Sequence, residues 1–278
     1  MRFDVLKRIK PERSLMGALL LGLVLSVGAG GEESDKDKRP PRWVRILAVG
    51  DSPPYRQEFR DGVAHQVKAP PGSVPPREVT VALDEETSKE AGLRLGAISS
   101  PLAVPAGARP LPIFPGKGAD LSSKPWQRLN LPEEGHVLAI FWRGHNQKTW
   151  DDARHLVLPD DPADFGAGKV RLVNVTPYRV AIALDGKKFD LKPGVSMVRA
   201  GGNAKGVELR VAVADQEGRL RTIYSSSLVQ NRGERANIVI YRADGESPRR
   251  PAKVLLHRES ARLPPIPVEK EERGGPGS

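Results

Sequence analysis

The 278-residue chain contains no cysteine, and only 5% of its residues are aromatic. The absence of cysteine excludes a disulfide scaffold, a cysteine nucleophile, and a thiolate zinc or iron–sulfur site. Stability must therefore come from burial of apolar groups, which is feasible for domains of about 120 residues. Glycine (28) and proline (26) are abundant instead, and this composition argues against a helical bundle.

The N-terminus has the organisation of a secretory signal peptide. Five basic and two acidic residues fall within the first 14 positions, and the uncharged stretch Leu15 to Gly31 follows. Its strictly apolar core is shorter than the ~20 residues that span a bilayer, and small residues end it. We expect cleavage near residue 30 and export to the periplasm or the extracellular space. An uncleaved N-terminal anchor is the alternative, and no later stretch is long enough to span a membrane.

The net charge is +10 for the whole chain and +7 without residues 1–30, when 39 basic and 32 acidic side chains remain. The basic residues are spread along the sequence, which favours solvation or weak attraction to anionic polymers over a specific nucleic-acid site. The expected partners are another envelope protein or an anionic polysaccharide, with no nucleic acid. No cofactor is indicated. His145 and His155 could meet across a hairpin, but their spacing is generic and we assign no metal site.

The remainder of the chain has the sequence pattern of β-structure. Alternating apolar residues recur in short runs about every 8–12 residues, with Gly, Pro and Asp between them, which is typical of a β-sandwich. Asp185-Gly186 predicts a tight hairpin. One short helix is expected at 84–92 and a long loop at 105–125.

The sequence therefore predicts an all-β protein with two tandem immunoglobulin-like antiparallel β-sandwich domains after a cleaved signal peptide. The predicted divisions are a signal peptide (1–30), a linker (31–41), a first sandwich with loop insertions (42–160), a linker (161–168), a second sandwich (169–260) and a disordered tail (261–278).

Internal similarity supports the tandem arrangement. Residues 137–143 and 153–158 match 236–242 and 252–257 at an offset of 99, and the starts 44–49 and 170–175 agree in kind. A further match, at an offset of 87, places 93–107 on 180–194. Tandem copies of one sandwich explain these matches, with insertions in the first copy at 52–78 and 108–130. Insertions on a repeated scaffold commonly carry function.

The opening of the second copy, VRLVNVTPYRVAIALDGKKFDLKPG, resembles exported bacterial sandwich domains of the alginate O-acetylation accessory type and uncharacterised lipoprotein-like domains. The resemblance covers about 25 residues of strand and turn pattern and brings no catalytic motif with it. It implies a periplasmic or secreted, non-catalytic module.

Gly50-Asp51-Ser52 follows a strand-like run and resembles the opening block of the SGNH (GDSL-type) esterases. The resemblance implies Ser52 as nucleophile, with Asn146 for the oxyanion and Asp152 and His155 as the acid and base. The spacing argues against this function, because Asn146 and His155 are only nine residues apart. No helices alternate with the strands to build the α/β scaffold of that family.

Tryptophans cluster in the first copy. Trp142 lies on a strand that is apolar on both faces and is expected in a core or a domain interface. Trp126 and Trp150 lie in predicted loops, where exposed rings can stack on sugars. The preferred function is a non-catalytic envelope binding, scaffold or accessory protein. The alternatives are a carbohydrate-binding module that uses Trp126 and Trp150, and a serine esterase built on Ser52.

Overall fold

A computed structural model describes residues 40–265, apart from 54–56, 108–109, 145–146, 202–204, 215–216 and 245–247. Over these residues the chain forms strands, turns and loops, with no helix. The predicted all-β sandwich fold is therefore confirmed. The predicted signal peptide (1–30), most of the first linker and most of the tail lie outside the described residues.

The N-terminal half contributes ten strands and the C-terminal half eight. In the N-terminal half these are β1 (Arg42–Val49), β2 (Gln57–Arg60), β3 (Val63–Gln66), β4 (Glu78–Ala82), β5 (Ser88–Gly92), β6 (Leu102–Val104), β7 (Leu111–Pro115), β8 (Gln127–Leu129), β9 (Val137–Trp142) and β10 (Arg154–Pro159). In the C-terminal half these are β11 (Lys169–Asn174), β12 (Val180–Leu184), β13 (Lys187–Leu191), β14 (Ser196–Ala200), β15 (Val207–Ala214), β16 (Leu220–Leu228), β17 (Glu234–Arg242) and β18 (Ala252–Ser260).

The two halves build pairs of sheets with the same strand order. The N-terminal set comprises β10-β9-β1-β6 and β5-β4-β7-β8, and the C-terminal set comprises β18-β17-β11-β14 and β13-β12-β15-β16. Among the described strands, each strand of one set has a counterpart at the same place in the other, except those of the hairpin β2–β3. Contacts join the described residues of both halves into one compact unit, so the division into two separate domains stays a prediction.

Most strand pairs are antiparallel, as expected, but one pair in each set is parallel. β1 runs parallel to β9, with Val44 beside Val137, and β11 runs parallel to β17, with Val170 beside Ala236. Parallel neighbours need a long crossover connection, and here the entire second sheet of each set supplies it. Val137 and Ala236 take the same place in these two pairs and are 99 residues apart, which confirms the offset of 99 between the two halves.

Alternation along the strands creates three apolar layers. Val44, Ile46 and Ala48 of β1 face the second sheet of the N-terminal set, and equivalent residues of β11 face the second sheet of the C-terminal set. The other face of β1 carries Leu47 and Val49, which pack in a third cluster with residues from β9, β11 and β17. The fold is thus four β-layers deep, because both faces of the two middle sheets are covered. Trp142 belongs to this third cluster, as its strand pattern predicts.

Three sequence expectations about the strands are wrong, and one of them is the long loop at 105–125, which contains strand β7. The segment 84–92 is a turn followed by β5, because the Asp84 carboxylate accepts hydrogen bonds from the backbone of Glu86 and Thr87 and closes the turn. The match at an offset of 87 also fails, because it pairs β6 with β13. In the sheets β6 occupies the place of β14, next to the first strand of its set.

Candidate functional site

The two sets of sheets differ most in the connection that follows their first strand. In the C-terminal set residues 175–179 link β11 to β12, whereas residues 50–77 link β1 to β4 in the N-terminal set. This additional segment, which we call the insertion, carries Gly50-Asp51-Ser52, the hairpin β2–β3 and one wall of a groove. A rigid sandwich with one elaborated connection is a common way to present a binding surface.

The hairpin β2–β3 stands out from the sheets. Its strands pair from Gln57–Gln66 to Arg60–Val63, and the turn residues Asp61 and Gly62 have φ angles of 51° and 79°. Every residue of both strands is exposed. Phe59 and Val63 are 74% and 57% exposed and project from opposite faces, since their positions alternate across the pair. A two-stranded hairpin is marginal by itself in water, so contact with another surface would stabilise it.

The base of the insertion is held by a second loop. The Gly72 carbonyl accepts a hydrogen bond of 2.8 Å from the Trp150 backbone N–H. Gly72 has a φ of +70°, and a Cβ there would lie 3.0 Å from the Cβ of Thr149. Glycine is therefore required for this close approach, which fixes the segment around residues 69–73 against residues 149–150.

A groove of about 1040 Å³ runs beside the insertion. Its walls are residues 74–78, 92–95 and 97–100, and Ser52 lies at one end. The wall at 94–99 follows β1 as a broken strand, because Gly96 N–H bonds to the Ala48 carbonyl and Ser99 N–H to the Ile46 carbonyl. A second groove of about 530 Å³ adjoins the first, since Ser52, Val74 and Arg77 line both.

The cations that line these grooves lack acidic partners. Within the part of the chain that the structure describes, the side chains of Lys68, Arg77 and Arg94 form no ion pair, and all three are exposed. Arg143 differs from them because it pairs with Asp244. The grooves therefore present uncompensated positive charge, and sequence reasoning missed it because the three residues are far apart in the chain.

The Asp51 carboxylate of the Gly-Asp-Ser sequence connects the end of β1 to the C-terminal set. One oxygen accepts a 3.1 Å hydrogen bond from the Tyr241 hydroxyl. The other accepts from Lys253 Nζ at 2.7 Å and from the Asp244 backbone N–H at 3.0 Å. Burial and the Asp51 charge raise the pKa of Tyr241, which keeps its hydroxyl protonated as a donor. This aspartate therefore has a structural role.

Ser52 and His155 are not hydrogen-bonded to each other. Ser52 follows β1 and His155 lies on β10, and β9 lies between these two strands. The backbones of β1 and β10 are therefore two inter-strand spacings apart, which is roughly 10 Å. The His155 imidazole Nδ1 instead lies 2.9 Å from Gln127 Oε1, and its ring packs on Phe141 with centroids 5.8 Å apart. Burial lowers the pKa of His155.

The other two residues of the esterase hypothesis do not complete a site. Asp152 is exposed in a turn that precedes β10, and Asn146 lies outside the described residues. The esterase alternative stays a prediction, and no hydrogen bond among the described residues supports it.

The two candidate tryptophans do not present free rings. Trp150 is only 2% exposed and belongs to the core of the N-terminal set, where its ring also approaches Gly50. The expectation of an exposed loop platform is wrong for Trp150. Trp126 is half-buried: it stacks on Phe141 with ring centroids 5.3 Å apart, and its Nε1 donates to the Trp150 carbonyl at 2.7 Å. Of the two tryptophans in the sugar-binding alternative, only Trp126 therefore has part of its ring exposed for contact with a ligand.

A buried charged cluster lies where the two middle sheets meet. Arg45 Nε donates to Asp160 Oδ2 at 2.9 Å, and Arg45 Nη2 donates to Glu259 Oε1 at 2.9 Å. Arg171 and Arg235 approach the Asp160 carboxylate at 3.5 Å and 3.3 Å. We call these five residues the interface cluster.

Phe165 covers the interface cluster with an aromatic face. Its ring centroid lies 3.9 Å from the Arg171 guanidinium carbon and 4.8 Å from that of Arg235. A ring face attracts cations, which helps to offset the one arginine in excess of the two carboxylates. Burial lowers the pKa of Arg171 to about 10, although Asp160 opposes the effect, so this arginine stays protonated at neutral pH.

Acidification is expected to weaken the fold in two pH ranges. Burial lowers the pKa of His155 and His257, so stability falls as the pH drops below the ordinary histidine value of about 6.5. Burial opposes ionisation of Glu259, but the hydrogen bond and the charge of Arg45 outweigh this effect and lower the pKa of Glu259. The stability that Glu259 contributes is therefore complete above the ordinary value of about 4.3 and is lost below it.

Urea unfolding between about pH 7.5 and pH 3 measures this dependence. Glu259→Gln should reduce the loss of unfolding free energy below about pH 4.3 and leave the loss that begins below about pH 6.5 unchanged. The control is Glu208→Gln, since Glu208 pairs with Arg210 at the surface, where both side chains are more than half exposed. If the free energy of unfolding of the two variants falls equally steeply with pH in the acid range, Glu259 is not the group responsible for that loss.

The comparisons with known proteins provide no family. No protein-family model matches the chain, and a search of curated proteins finds no match. Over the described residues no three His, Asp or Glu side chains lie close enough to hold a metal ion. That same part of the chain has no helix with the length and hydropathy of a membrane span.

Proposed function

We propose that this protein is an exported, non-catalytic binding module of the cell envelope, and that the insertion at 50–77 is its binding surface. The observation that carries the proposal is the difference between two otherwise matched sets of sheets. The additional segment in the N-terminal set forms an exposed hairpin and lines the groove of about 1040 Å³. The weak resemblance of the second half to exported accessory domains is consistent with this function.

The scaffold supports a binding role because it fixes the ends of the insertion. The Asp51 contacts hold one end and strand β4 holds the other, and the Trp150 backbone N–H bonds to the Gly72 carbonyl a few residues before β4. The hairpin lies between these fixed points, which limits the ordering that a partner must impose on binding.

The test measures co-sedimentation of the full-length chain, expressed in an export-competent bacterium, with the isolated envelope fraction. Cell fractionation and N-terminal sequencing report export and cleavage near residue 30. We expect Phe59→Ser/Val63→Ser to weaken association roughly tenfold, because exposed apolar anchors contribute disproportionately to binding. The control is Leu220→Ser, which removes another large exposed apolar side chain from the surface of β16.

Two results would overturn the proposal. One is a wild-type protein that stays in the cytoplasm or fails to associate with the envelope fraction. The other is hydrolysis of p-nitrophenyl acetate that Ser52→Ala abolishes, which would make the protein an esterase.

A further inference from the structure

The two grooves beside the insertion adjoin each other, and together we call them the trough. Ser52, Val74 and Arg77 line both grooves, so a ligand that fills both must extend past these residues. The larger part alone has a volume of about 1040 Å³. A linear chain can occupy two adjoining grooves, whereas a compact small molecule needs enclosure on most sides.

The charges along the trough select for an anion. Arg94 and Arg77 line the larger part, Lys68 follows in the smaller part, and none of the three forms an ion pair within the described residues. Two acidic groups of the smaller part are already neutralised, because Asp51 bonds to Lys253 and Asp244 pairs with Arg143. Glu78 is the acidic side chain of the larger part.

We propose that the trough binds an acidic polysaccharide whose sugar units carry carboxylates. This inference rests on the proposed function and names the class of ligand. Guanidinium groups match the geometry of carboxylates and bind them in a bidentate manner. The hydroxyl of Ser52 supplies a hydrogen-bond partner for sugar hydroxyl groups, which a purely cationic surface lacks.

The shape of the surface favours a polysaccharide over a lipid headgroup layer. A membrane is broad and nearly flat, whereas Arg77 and Arg94 line a concave groove. A flexible polymer strand can enter such a groove, whereas a flat surface contacts only its rim. Anionic lipid is therefore the competing outcome of the test.

The test titrates the full-length exported protein with polygalacturonate, with neutral dextran and with phosphatidylglycerol vesicles as separate probes. We expect saturable binding to polygalacturonate that weakens as salt rises from about 0.05 M to about 0.5 M, because exposed charges are screened. Dextran and vesicles should not compete with it. Arg77→Gln/Arg94→Gln should reduce the affinity roughly tenfold to a hundredfold, because two charge-assisted contacts are lost.

Two further variants make the test specific to the trough. Arg232→Gln/Arg262→Gln removes the same charge from exposed arginines near the first residues of β17, at the opposite end of the sandwich from Ser52, and should leave the affinity within about twofold. Glu78→Gln should raise the affinity for polygalacturonate about threefold, because the acid repels the ligand's carboxylates.

The outcomes separate this inference from the proposed function. Equal losses for the two double-arginine variants would overturn it, since the attraction would then come from net charge alone. Tight binding to vesicles that depends on Arg77 and Arg94 would overturn it in favour of a lipid surface. If the trough variants still associate with the envelope fraction while polygalacturonate does not bind, the binding module stands and the polysaccharide assignment fails.

Discussion

Replacement of Asp160 by alanine is expected to lower the free energy of unfolding by about 3–5 kcal/mol. The Asp160 carboxylate contacts Arg45, Arg171 and Arg235, and its side chain is 1% exposed. Removing it leaves three buried guanidinium groups with Glu259 as their remaining carboxylate. An uncompensated buried charge costs far more than the lost contact alone, because the interior cannot replace the water that would solvate it.

Urea unfolding at neutral pH measures this loss, and Asp190→Ala provides the matched control. Asp190 also pairs with an arginine, Arg179, at 3.5 Å, but both side chains are more than half exposed. Its removal should change the free energy of unfolding by less than about 0.5 kcal/mol, since water screens the pair. Similar values for the two alanine variants would show that the interface cluster does not hold the two sets of sheets together.

Trp150→Ala is the second change with a large expected effect, at about 3–5 kcal/mol of unfolding free energy. The indole is buried in the core of the N-terminal set, so its removal opens a cavity. Trp150 also donates its backbone N–H to Gly72, and the insertion should loosen when the ring no longer fixes that loop. Hydrogen exchange at residues 67–76 should therefore become faster than in the wild type.

Phe59→Ala is the control for Trp150→Ala, because it truncates an aromatic side chain that is 74% exposed. We expect a change in unfolding free energy of less than about 0.5 kcal/mol there. If Trp150→Ala is equally harmless, the ring does not support the core of the N-terminal set.

The sequence predicts the structure best where a strand is long and the pattern of its apolar residues shows which of its two faces are covered. The pattern of residues 137–143 predicts a strand covered on both sides, and β9 lies in the middle of four layers. The Asp185-Gly186 turn joins β12 to β13 as predicted, and both of its residues have positive φ. Asp61-Gly62 carries the same signal for the exposed hairpin, although the flanking residues lack the apolar alternation that would have marked them as strands.

Prolines explain one strand that sequence reasoning missed. The abundance of Pro, Gly and Ser in residues 105–125 predicts a long loop. Proline in particular lacks the N–H that a central strand needs. β7 nonetheless lies between β4 and β8, because its two neighbours are staggered. Pro112 lies opposite β8 only and Pro115 opposite β4 only, so each proline sits where the strand has a neighbour on one side.

The trough could not be predicted from sequence because it depends on contacts between distant segments. Arg77 precedes β4 and Arg94 follows β5, and they line one wall only because the Leu93 N–H bonds to the Arg77 carbonyl. The residues with a recognisable motif, Asp51 and His155, instead make structural contacts with Lys253 and Gln127.

The interface cluster has a consequence for how charge can be arranged. Arg45 and Arg171 occupy the same place in β1 and β11, and each reaches a carboxylate of the opposite set, as two identical subunits would across a twofold axis. In a dimer of identical subunits every charged residue near the twofold axis occurs twice. Here His136 stands where the other half has Arg235. The interface cluster of this single chain therefore contains an odd number of charged residues around the approximate twofold axis that relates its two halves.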